Sequence, residues 1–265
     1  MSIKPLKFTP LNAIASFSAD SIEKQEQIIT PFNTVAEAIN SHYRAYYGSD
    51  ASVPSAKSDA IALLAVVGEF IGLMQRLDAQ YGADGAVTDL VDIADATDQA
   101  LRCIVELQQW LERLNLRAFS ADLQAVTLGV GVWAMRHDVS LLTLEPIVAA
   151  LAERANVTET RQDTAAIFAL MQGFVDYLAP AWQADLERSN PQRPWRLLNL
   201  NLAIIGVRSG DAAMMRYAFT ALNTYLPDEC RGFYEEAYAI AAQPNFPAET
   251  RALIELELAK TSARH

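Results

Sequence analysis

Histidine and cysteine are nearly missing from this sequence. There are three histidines, His42, His137 and His265, and two cysteines, Cys103 and Cys230. That leaves little material for a histidine-rich metal centre, and no cofactor is expected. With no CxxC pair and no disulfide framework, two lone thiols read as small core hydrophobes of a reducing, cytoplasmic compartment. Positive charge is also scarce. Lys and Arg number 21 against 32 Asp and Glu, a formal net charge of −11. Nucleic acids and anionic lipids need clustered basic side chains, so neither a nucleic acid nor a membrane is the expected partner. The longest apolar run, Ala60 to Met74, contains Glu69 and is too short to span a bilayer. Pro5, Thr9, Pro10 and Asn12 interrupt the apolar stretch that a signal peptide would need. Lipidation motifs and alternating strand patterns are missing as well.

What remains is helix. With 265 residues, 51% apolar and 20% charged, the chain has enough apolar surface for a large core. Residues 1–17 read as an irregular arm. Asp20 or Ser18 caps a short helix to Ile29. Thr30-Pro31 then reads as a cap followed by proline in the first turn of a helix to about Tyr47. Leu63, Val67, Phe70, Met74, Leu77 and Tyr81 step by four and three, with Ile61, Leu64, Gly68 and Ile71 beside them. Two stripes predict a central helix over about 55–81. A glycine turn at 82–85 leads to a second long helix over 86–115, and the two should pair as an antiparallel hairpin.

Shorter helices follow: Ser120 to His137, Leu144 to Ala155, and a long one from Thr158 in which Pro180 should kink or split the helix. Then come Trp195 to Arg208, a helix capped by Asp211 with Met215, Phe219, Leu222 and Leu226 on one face, one marked by Phe233, Ala237 and Ile240, and a last from Ala248 to Thr261. The expected fold class is all-α. Residues 1–117 form a helical bundle on the long hairpin, and residues 118–265 form a region of stacked helical hairpins.

The breaks in the second half recur. Arg136-His137-Asp138 and Arg208-Ser209-Gly210-Asp211 both end one helix and open another, 72 residues apart by their arginines. The next break, Gln243-Pro244, comes about half that distance later, the size of a helical-hairpin repeat. Trp195, Leu198 and Ala203 on one helix, Ala218 and Phe219 on the next, and Pro227 after it make residues 195–262 resemble degenerate tetratricopeptide-like hairpins. Asn199 departs from that pattern, where a small residue is expected. Residues 136–262 are also similar to bacterial proteins without an assigned function. The tetratricopeptide resemblance implies a right-handed stack of hairpins whose concave face binds a peptide or a partner protein.

Several motifs invite chemistry. Gly129-Val130-Gly131-Val132-Trp133-Ala134 fits GxGxxA, but a dinucleotide fold needs alternating strands and helices, so the glycines read as a close helix contact. Asp89, Asp92, Asp95 and Asp98 repeat every third residue. That step drifts around a helix by about 60°, so they cannot all converge on a metal, and they read as a solvated acidic face. Ser21-Ile22-Glu23-Lys24 matches SxxK without the sheet that motif requires. His42 among Tyr43, Tyr46 and Tyr47 reads as the packed end of an amphipathic helix, and His137 as a helix-end cation or hydrogen-bond partner.

The segment Trp195 to Asn201 (WRLLNLN) is the most unusual. Asparagine is a poor helix former, yet Asn199 and Asn201 both fall inside a helix. Asn199 reads either as a polar staple between helices or, with Trp195 and Arg208, as a surface that clamps a peptide backbone or carboxylate. Trp195, Asn199 and Arg208 are the candidate binding residues. The expected function is a non-enzymatic interaction or scaffold protein using a concave helical surface, with a homo-oligomer left open. The alternative is an all-α enzyme or small-ligand binder with a site between helices.

Overall fold

The computed structural model describes residues 26–47, 59–87, 90, 92–184, 189–243 and 246–262. These contain ten α-helices and no strand: α1 Glu26–Tyr47, α2 Ala60–Tyr81, α3 Ile93–Arg113, α4 Ser120–Arg136, α5 Glu145–Asn156, α6 Arg161–Trp182, α7 Pro194–Ser209, α8 Ala212–Tyr225, α9 Cys230–Ala241 and α10 Ala248–Ser262. A short 3₁₀ turn, Arg117–Phe119, precedes α4. The all-α class is as expected. The N-terminal arm, the SxxK segment, Asp89, Pro244 and His265 lie outside the described residues.

The chain forms two compact units, Ser21–Ala150 and Leu151–His265, with the division inside α5. The boundary expected at 117/118 falls instead at 150/151, because α4 packs on α1 and α3 of the first unit.

In the first unit α1 also packs on α2, and α2 on α3. Leu63, Val67, Phe70, Met74 and Leu77 are buried, as are Leu64 and Ile71 of the second stripe, so α2 is held on two sides. Asp59 caps it, its carboxylate accepting the Ile61 N–H at 2.9 Å. Three boundaries differ from expectation: α2 starts at Ala60, after the extended Asp59 cap, and not near 55. The helix of α1 runs unbroken through Pro31, which lies close enough to its start that only the Gln27 carbonyl loses a donor. The second long helix begins at Ile93 and not Ala86, because the Val87 N–H is spent on the His137 carbonyl at 3.1 Å. Asp92, at φ 76°, then turns the chain back into helix. Helix α2 also continues past Met74. It, the stretch 117–136 and α6 are each long and apolar enough to cross a membrane by length and composition.

The glycine motif lies wholly inside α4. A Cβ at Gly129 would stand 2.4 Å from Ile28 Cγ1 of α1. Glycine therefore lets the two helices meet. Gly129→Ala should destabilise the first unit by about 1–3 kcal/mol through overpacking. An unconstrained helical glycine would show the opposite sign, and a urea titration reads it.

In the second unit α6 packs on α7, α7 on α8, α8 on α10 and α9 on α10. Gly210, at φ 64°, ends α7 in the left-handed conformation, and Asp211 caps α8 by accepting from the Ala213 and Met214 N–H groups at 2.8 and 3.0 Å. Met215, Phe219, Leu222 and Leu226 are all buried. Pro180 does not split α6, because it falls in the last turn before Trp182. On α9 the inward line is Cys230, Tyr234, Ala237 and Ala241, not Phe233, Ala237 and Ile240. Ile240 is 52% exposed, and Tyr234 turns inward to donate to Asn223 Oδ1 at 3.1 Å.

Candidate functional site

Of the three candidate residues, two are inside the second unit and one is on its surface. Trp195 and Asn199 are each 1% exposed. The Trp195 ring packs edge-on against Tyr225, with centroids 5.1 Å apart. The Asn199 amide donates to the Trp195 carbonyl one turn back at 2.9 Å, a bond within α7 and not between helices. Asn199 Oδ1 and Trp195 Nε1 have no partner among the described residues.

Arg208 lies at the other end of α7. Its Nη1 donates to the Ala155 carbonyl at 2.7 Å and its Nη2 to the Thr158 carbonyl at 3.2 Å. Helix α5 ends at Asn156, so these are carbonyls at a helix C-terminus, where a guanidinium complements the dipole. Arg208 therefore closes α5 from α7.

Beside that contact is a shallow hollow lined by Arg154, Val157, Thr158, Asp163, Ala166 and Ile167. Local sequence builds it. Thr160 caps α6, with its hydroxyl accepting the Asp163 N–H at 3.0 Å and donating to Asp163 Oδ2 at 2.7 Å, which pins the one acid of the rim. Ile167 is buried in the floor, while Val157 is 70% exposed. Arg154 forms no ion pair or hydrogen bond among the described residues, and its side chain is exposed. An open cation, an anchored cation and an exposed apolar side chain thus share one edge. Charge and apolar contact can be supplied here together.

The other motifs resolve into structural contacts. Asp92 and Asp95 are exposed, but Asp98 is 2% exposed. Its carboxylate accepts the Leu142 and Thr143 N–H groups at 3.1 and 2.7 Å, so it anchors a loop and leaves the acidic face. No group of three or more His, Cys, Asp or Glu among the described residues could hold a metal. His42 is exposed and its Nδ1 contacts the Ala38 carbonyl at 2.9 Å. Tyr43 is buried edge-on against Trp110. Burial pushes the Cys103 thiol up, away from the reactive thiolate.

Two clusters go beyond the sequence reading, which had His137 as a helix-end cation or hydrogen-bond partner without its Asp78 and Trp133 neighbours. His137 is fully buried at the end of α4, with Nε2 2.7 Å from Asp78 Oδ1 and Nδ1 2.5 Å from the Gly85 carbonyl. Trp133 donates to the same Asp78 oxygen at 2.8 Å. A carboxylate orienting a histidine suggests general base chemistry, but both ring nitrogens are occupied and none is left for a substrate. The spacing of Trp133 and His137, one turn apart, was the available signal. In the second unit Glu229 receives both Arg196 and, at 3.6 Å, the buried Arg193, tying the start of α7 to the α8–α9 connection. Comparisons with known protein families, with curated proteins and with solved structures find no match to this chain.

Proposed function

We propose that this protein is a non-enzymatic interaction protein. In this reading its second unit stacks helical hairpins in the tetratricopeptide manner and takes an acidic, partly apolar segment of a partner protein at the α5–α6 turn. The observation that carries the reading is the hollow's edge: exposed Arg154 without a partner and exposed Val157, next to the guanidinium of Arg208. On a chain of net charge −11 an open guanidinium is a local feature that favours an acidic partner. The hairpin reading is supported by burial of Trp195, Leu198, Ala203, Ala218 and Phe219, the residues that carry the resemblance. Two buried, unbridged thiols support a cytoplasmic setting.

Arg154 gives the cleaner test, because Arg208 also closes α5. A library of capped acidic peptides with one aliphatic residue, read by fluorescence anisotropy, should yield binders whose affinity falls with salt. Arg154→Glu should weaken them roughly tenfold or more, a loss of about 1.4 kcal/mol. Stability should stay within about 0.5 kcal/mol, as for other exposed sites. Equal affinity in both proteins at low and high salt would remove the hollow as the binding surface.

A further inference from the structure

Helix α2 has an outer side that its own unit does not use. It packs on α1 and α3, and its Asp78 reaches Trp133 and His137 of α4. Opposite Asp78 runs a line of Ala62, Val66, Glu69, Leu73, Arg76 and Gln80, stepping by four and three. Leu73 is half-buried and the other five are exposed. A seven-residue step drifts only about 20° around a helix, so the line keeps to one face along α2. This is the spacing of a seam between packed helices. A solvent-facing helix side is normally polar, as α3 shows with exposed Asp95, Gln99, Arg102 and Glu112. On α2 the outer side is mostly small or apolar, with Ile61 and Val66 left 37% and 38% exposed.

Two charges stand in the middle of this line, one of each sign. Glu69 and Arg76 form no ion pair or hydrogen bond among the described residues. Seven residues separate them by about 10.5 Å along the axis, too far to pair within one helix. Between them is Gly72, where an added Cβ would stand 3.5 Å from Arg76 Nη1. The guanidinium thus lies along the outer face, over a position without a side chain, where a second helix can come close.

The pattern is its own complement. Lay a second α2 antiparallel on the first, with the two-fold axis passing between Gly72 and Leu73. Glu69 of each chain then meets Arg76 of the other, so both charges are paired twice over. A parallel pairing would set like charges together. We propose that the outer face of α2 is a homodimer interface, in which two copies of this chain pair antiparallel through reciprocal Glu69–Arg76 contacts. Such an interface is isologous, as two-fold symmetry requires. A lipid bilayer is the poorer occupant, because it would place both charges in mid-helix. One helix face is a small contact, so the dimer is reversible and dissociates on dilution. The interface lies in the first unit and does not rest on the α5–α6 reading.

The test is sedimentation velocity of the full chain over a concentration range, with charge reversals. Wild type should show a monomer–dimer equilibrium. Glu69→Arg alone and Arg76→Glu alone should each weaken it roughly tenfold or more, because each variant faces like charge on its own copy. Mixing the two variants should restore dimer, since each then meets the opposite charge on the other. The double exchange in one chain should restore it as well. Recovery in the mixture also shows that both variants fold, and thermal melts by circular dichroism check this independently. Four results overturn the proposal: a monomer at every concentration reached, single variants that dimerise like wild type, a mixture that stays monomeric, or flotation of the monomer with phosphatidylcholine vesicles in place of dimerisation.

Discussion

Replacing His137 with alanine should cost the first unit about 3–5 kcal/mol, summing a core cavity and the lost polar contacts of the imidazole. The imidazole is fully buried between the Asp78 carboxylate and the Gly85 carbonyl, against the Trp133 ring at 4.7 Å. Its own carbonyl accepts from Val87, so one residue links the end of α2, the 82–87 loop and the end of α4. Truncation leaves a carbonyl without its donor and a carboxylate with only Trp133. His137→Phe separates the two terms, filling most of the space while supplying no donor. It should still cost about 2 kcal/mol. Urea unfolding followed by tryptophan fluorescence measures both. Wild-type stability in the phenylalanine variant would reduce the cluster to packing.

Asp98→Ala is expected to cost about 2–4 kcal/mol, because it removes the acceptor of two backbone N–H groups and opens a space in the core. The value falls below that of a fully enclosed acceptor because Leu142, one of the two donors, is exposed enough for water to reach it. Asp98→Asn keeps one acceptor and should lose about half as much. Hydrogen exchange gives the local readout. The Leu142 and Thr143 amides should lose protection in the alanine variant, while amides of α2 keep theirs. Unchanged exchange at both would mean that the loop before α5 is held by something else.

Most helices were legible because their apolar spacing and their caps agree. Leu63 through Leu77 mark α2, and Gly210 with Asp211 ends one helix and starts the next. Boundaries were missed where a distant partner decides them. Nothing local shows that Val87 will donate to His137, so the start of α3 was placed seven residues early. The corner at Asn115, at φ 58°, and the 3₁₀ turn after it look like a domain border, yet they fold α4 back onto α3 within one unit.

The candidate site was partly legible for a related reason. A tryptophan and an asparagine one turn apart suit a groove or an interior equally well, and only packing against Tyr225 decides it for Trp195. Arg208 was seen as a helix-end residue, but the end it serves belongs to α5, far back in the chain. Arg154, the open cation, carries no motif. Asp98 shows the same limit: its repeat with Asp92 and Asp95 describes a face, and the one member turned inward is set by the Leu142–Thr143 backbone.

The Arg208–Ala155 bond joins residues 53 apart. A chain emerges N-terminal end first at roughly 5–20 residues per second, so the last turn of α5 waits several seconds on the ribosome for its cap. Until then the Ala155 and Thr158 carbonyls are open and the edge beside Arg154 is unfinished. Under the proposed function, the nascent chain would present no completed docking edge before α7 has been made, and an acidic segment arriving earlier would meet one guanidinium instead of two.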